Sequence, residues 1–163
     1  MTALLLDRPT GPADLASAMR IGATPVPEPG KGQLRLRVET CSLNPVDWKV
    51  ARGGNPAWTW PHVLGLDVAG TIDALGPGVT TPAEDGASAL RPDLAVGDRV
   101  AAHHDLRRPG GLAQYVVVDA RALAPQGRGV DAVLDAVDAA YARLARGHQT
   151  GKLVCDVAGS AGA

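Results

Sequence analysis

Gln33-Leu34-Arg35-Leu36-Arg37-Val38-Glu39 alternates apolar and polar residues along its first six positions, and a period of two marks a strand with one face buried. Pro25, Pro27, Pro29 and Gly30 lead into it with turn chemistry. Met1–Leu6, Thr71–Leu75, Arg99–Ala102 and Tyr115–Val118 read as further short strands between glycine-bearing turns. Strands of this length and spacing predict a mainly β fold closed into a barrel. Thr80–Pro92 is polar and aperiodic and reads as an exposed loop.

One long helix is expected, over Asp131–Arg146. Val130, Val133, Leu134, Val137, Tyr141 and Leu144 recur at intervals of three and four and form an apolar stripe. Asp131 suits its positive end, Arg143 and Arg146 its negative end, and Gly147 a left-handed cap. Lys152–Val157 then reads as a closing strand. The expected organisation is one domain over 1–157, with a barrel over 1–125, a helix and strand over 130–157, and a tail over 158–163.

With 163 residues, 45% of them apolar, the chain is long enough to bury its own core. A formal charge of -1 and scattered basic residues leave no footprint for nucleic acid or an anionic membrane. No apolar run approaches a membrane span, and Met1–Leu6 is too short for a signal-peptide core. Cys41 and Cys155 lack C-x-x-C spacing and read as buried thiols, so a cytoplasmic, disulfide-free protein is expected. Arginine far outnumbers lysine, Ala, Gly and Pro are abundant and Phe is absent, an association with GC-rich bacterial coding sequences.

Four stretches, in order, carry a resemblance: Pro25–Gly30 (PVPEPG), Ser42–Lys49 (SLNPVDWK), Trp60–Gly70 (WPHVLGLDVAG), and Val96–Val100 (VGDRV) with Gly110–Tyr115 (GGLAQY). In series they resemble the catalytic domain of the medium-chain dehydrogenase/reductase superfamily, in its zinc-free quinone-oxidoreductase-like branch. The resemblance implies a GroES-like barrel closed by a C-terminal helix and strand. The zinc-dependent members place Cys where Asn44 stands and His-Glu where Leu66-Asp67 stands, so no metal is expected here. His103-His104-Asp105 is a poor substitute, because adjacent residues on a strand point to opposite faces.

Leu123-Ala124-Pro125 resembles the end of that catalytic domain's first part, and Gln126–Gly129 joins it directly to the C-terminal helix. The superfamily's nucleotide-binding domain is therefore expected to be missing. Gly76-Pro77-Gly78, Gly127-Arg128-Gly129 and Ala158–Ala163 do not form the strand, G-x-G-x-x-G turn and helix that hold a dinucleotide. No cofactor is expected, and a reductase without a nicotinamide lacks its hydride donor.

The resemblance places Asn44, Asp47, Asp67, His103 or His104 and Tyr141 on the former cleft wall as candidate catalytic groups. Trp48, Trp58, Trp60 and Leu66 are the candidate substrate-binding residues. Each has a structural alternative: Asn44 and Asp47 as caps of a turn begun by Pro45, Asp67 as a partner of backbone amides, Tyr141 as part of the helix stripe. The three tryptophans, in a chain with five aromatics, either line an apolar pocket or plug the core where a domain was lost.

The function expected is a cofactor-free, non-redox enzyme. It would fold a flexible, apolar, polyketide-like small molecule for intramolecular cyclisation, by cycloaddition or by conjugate addition of an oxygen. The alternatives are a non-catalytic ligand-binding or accessory protein, and an oxidoreductase half completed by a separate nucleotide-binding chain. The uncovered cleft wall also favours a homodimer.

Overall fold

The computed structural model describes residues 1–11, 14–82, 84–86, 88–123 and 153–156. Its elements in chain order are β1 (Thr2–Leu6), α1 (Leu15–Ala18), β2 (Met19–Ala23), β3 (Gln33–Leu43), α2 (Pro45–Gly53), β4 (His62–Val63), β5 (Asp67–Leu75), β6 (Arg99–His103), β7 (Tyr115–Asp119) and β8 (Leu153–Asp156). A 3-10 turn, Ala120–Ala122, follows β7. The helix expected over Asp131–Arg146 lies outside the described residues.

The alternation that marked β3 sorts its side chains as expected. Leu34, Leu36 and Val38 are buried, whereas Arg35 and Arg37 stand on the other face. They meet Ile72, Val100, Val116 and Val118 from the neighbouring strands in a single core. Burial of each such side chain contributes about 1.5–3 kcal/mol, which makes this face the main source of stability.

Among the described residues all strand pairing is antiparallel and falls into two sheets. One has the order β2-β1-β4; the other has the order β6-β5-β3-β7, with β8 also paired to β3. At eleven residues β3 has room for two partners on one edge: β7 pairs along Gln33–Arg37 and β8 along Thr40–Leu43. Register shifts on its β5 side follow Arg35 and Val38. There Gly70 comes so close to the Arg37 carbonyl that a Cβ would lie 2.1 Å from its oxygen.

A closed barrel was the expectation, and the described strands correct it. The two sheets meet through an isolated bridge, Ala3 to Ala113, and the flanking bond from Leu4 N–H to the Leu112 carbonyl, 2.8 Å. On that edge of β1, β4 pairs only with Leu5 and Leu6, and Thr2–Leu4 meet Leu112–Gln114 through this single bridge, so among the described residues no ladder closes the seam. The β8 pairing does return the chain to the main sheet, as the expected closing strand requires.

Candidate functional site

The end of β3 runs into α2, and local chemistry makes the junction rigid. Asn44 is extended, with φ -113° and ψ 154°, and Pro45 follows with a ring suited to the first helical position. Asp47 then reaches back, its Oδ2 accepting the Asn44 N–H at 2.7 Å. Its other oxygen, Oδ1, accepts the Gly65 N–H at 3.2 Å and ties the helix to the segment before β5. Burial pushes the Asp47 carboxyl up from its ordinary range; the two backbone donors oppose that shift, and the charge of Asp67 adds to it. The helix stops at Gly54, φ 68°, whose N–H bonds the Val50 carbonyl at 2.7 Å.

Beside this junction three strands set a row of polar residues. Ser42 on β3 is in register with Asp67 on β5, and Asp67 is in register with His103 on β6. Directly opposed residues of antiparallel strands share a face, so the three side chains meet. His103 Nδ1 lies 2.7 Å from Asp67 Oδ1. Asp67 Oδ2 accepts from Ser42 Oγ at 3.1 Å and from Asn44 Nδ2 at 2.9 Å. A carboxylate in its ionised form only accepts, so in the neutral imidazole this contact favours the tautomer with the hydrogen on Nδ1 and the lone pair on Nε2. The His103 side chain is 73% exposed, which leaves that lone pair open to an incoming molecule.

His104 points the other way. It is buried, its Nε2 bonds the Pro109 carbonyl at 2.8 Å, and burial leads the causes that lower its pKa. The choice between the two histidines therefore falls on His103, and His104 is a core residue. Leu66 is buried too, and its backbone carbonyl accepts the His104 N–H at 2.6 Å.

Of the tryptophans, Trp58 is buried, stacks on His62 and donates its indole N–H to the Leu106 carbonyl at 2.7 Å. This is the core-plug alternative. The cavity beside Trp58, His62, Asp47 and Leu66 is about 10 Å³, room for one water and not for a substrate. Trp60 is partly exposed and meets Trp58 edge to face, with ring centroids 5.7 Å apart. Trp48 belongs to α2, but its side chain, like the whole of Tyr141, lies outside what the structure describes.

The site thus gathers Asn44, Asp47, Asp67 and His103, and adds Ser42, which the sequence reading did not single out. Its signal was slight: a hydroxyl at the end of β3, two positions before Asn44. Asp67 and His103 are bonded to each other, and among the described residues no three His, Cys, Asp or Glu side chains gather to hold a metal ion. The donor set among the described residues does not fit zinc. Nor do the described residues contain a strand, glycine-rich turn and helix for a dinucleotide.

The chain belongs to the alcohol dehydrogenase GroES-like domain family, whose model matches residues 30–128. It is 35% identical over 95 residues to the trans-enoyl reductase fsr4 of Gibberella fujikuroi, covering 58% of this chain and 24% of the relative. Against the zinc-type alcohol dehydrogenase-like protein C337.11 of Schizosaccharomyces pombe it is 28% identical, over 89% of this chain and 42% of that protein. A crystal structure of an NAD-dependent alcohol dehydrogenase superposes with a TM-score of 0.60 at 29% identity, covering 77% of this chain and 39% of the other. The chain spans less than half the length of these relatives. Among the described residues, no helix is long and apolar enough to cross a membrane.

Proposed function

We propose that this chain is a proton-transfer enzyme of secondary metabolism that closes an oxygen ring in a flexible, apolar small molecule. The observation behind this reading is the Asp67–His103 pair, a carboxylate-backed imidazole with Nε2 open to solvent. The names of two relatives support an enoyl compound as the substrate class. An enoyl group, named in trans-enoyl reductases fsr4 and tndF, is a C=C bond conjugated to a carbonyl, and a hydroxyl on the same molecule can add to it. As the C–O bond forms, the hydroxyl proton passes to His103 Nε2 and the π pair shifts toward the carbonyl. Asp67 stabilises the imidazolium, and the same proton then returns to the α-carbon. Nothing is oxidised or reduced. Orienting the chain supplies about 7–11 kcal/mol of the barrier in favourable cases, so one well-placed base suffices.

The test is incubation with linear hydroxy-enones in the absence of any nucleotide, with products resolved by chiral chromatography. Accelerated formation of one enantiomer, lost in His103→Gln, is expected. A racemic product at the uncatalysed rate would overturn the reading. The relatives' names, dehydrogenase and reductase throughout, favour a second reading: an oxidoreductase half completed by a separate nucleotide-binding chain. Reduced products that require both that chain and a nicotinamide would establish it.

A further inference from the structure

Asp67 Oδ2 receives donors from two elements, Ser42 Oγ from within β3 and Asn44 Nδ2 from the N-terminus of α2. Together with Oδ1 on His103, these fix the carboxylate at three points. Ser42 is itself buried, at 8% exposure, and its register opposite Asp67 leaves its hydroxyl beside the carboxylate. Losing one of these donors leaves the carboxylate freer to turn about its Cβ–Cγ bond, and the hydrogen position of the imidazole it faces is then less firmly set.

Resting on the ring-closing reading above, we propose that Ser42 is a positioning residue for proton transfer at His103. With Asn44, its hydroxyl holds the Asp67 carboxylate in the plane that keeps the hydrogen on Nδ1 and the lone pair on Nε2. Ser42 does not touch substrate; it acts through Asp67.

The experiment reads the tautomer directly and needs no substrate. In the full-length ¹⁵N-labelled chain, long-range ¹H–¹⁵N spectra distinguish the two ring nitrogens, and His103→Gln assigns the signal. The wild-type neutral ring is expected to be predominantly the Nδ1–H form. Ser42→Ala should shift the tautomer ratio toward Nε2–H by about fivefold, the size of one ordinary hydrogen bond's net contribution. Ser42→Thr should restore it. Ser42→Val serves the same purpose as Ala with a residue that favours strands, so that a folded protein without the hydroxyl is available. A wild-type tautomer ratio in Ser42→Ala or Ser42→Val would overturn the positioning role. A wild-type ring in the Nε2–H form would overturn the pair's geometry itself. An Nδ1–H ring that responds to Ser42 in a protein that closes no rings would uphold the positioning and sink only the proposed reaction.

Discussion

The indole of Trp58 lies flat on the imidazole of His62, with ring centroids 3.9 Å apart and planes inclined by 11°. The stack is buried, and His62 Nδ1 has no hydrogen-bond partner. A proton added to this ring would place a charge in the interior, where desolvation outweighs the one backbone hydrogen bond, with Thr59, that favours the charged form.

Burial pushes the His62 pKa down from 6.5 to about 4, and His104 is shifted the same way, again chiefly by burial. The folded values lie below the unfolded ones, so the unfolded chain binds protons more readily below about pH 6.5. This stability is complete above that pH, falls as pH drops toward about 4, and then levels. His62 alone should remove about 2 kcal/mol between pH 7.5 and pH 5. Urea unfolding at the two values checks it; equal midpoints would mean that the ring is accessible to protons in the folded state.

Asp47 joins two pieces of the site that are distant in sequence, through its bonds to the Asn44 and Gly65 amides. Asp47→Ala should cost about 2–3 kcal/mol, the combined worth of a helix cap and a buried amide bond. Asp47→Asn, which keeps one acceptor oxygen, should lose less. Denaturant titration of both variants measures the difference.

How much of this the sequence disclosed depends on the range of the interaction. Strand β3 was legible because its apolar residues alternate, and β5, β6 and β7 as short runs between glycine-bearing turns; that neighbours on a strand point to opposite faces already set His103 and His104 apart. Which of the two faces the site was not legible, since it depends on β5 lying against β6 with Asp67 opposite His103, thirty-six residues away. Register is set by the packed sheet. Helix α2 was read only as a turn at Pro45, although Asn44, Pro45 and Asp47 hold the N-cap, N1 and N3 chemistry of a helix start. Trp58 looked equally suited to pocket and core, and its bond to Leu106, far along the chain, decides for the core.

Gly65 sits at φ 103°, and a Cβ there would lie 2.4 Å from Cys41 Sγ and 3.1 Å from the Leu112 nitrogen. Both the backbone conformation and the space exclude a side chain. Gly65→Ala should destabilise by about 3 kcal/mol or more, since strain and overpacking each cost about 1–3 kcal/mol. A melting temperature unchanged from wild type would show that the segment before β5 relaxes freely.

The open lone pair on His103 also predicts a chemical selectivity. Diethyl pyrocarbonate acylates a neutral imidazole through an accessible nitrogen, and the His103 side chain is 73% exposed whereas His62 and His104 are each 2% exposed. Among these three, His103 should react first, with peptide mass spectrometry locating the adduct. Asp67→Asn should slow the reaction severalfold, because an amide supports the ring's developing positive charge less well than a carboxylate does. The nitrogen acylated is the one assigned to proton transfer, so ring closure should fall in parallel with modification of His103. Adducts appearing first on His62 or His104, or ring closure persisting after His103 is fully acylated, would place the proton acceptor elsewhere.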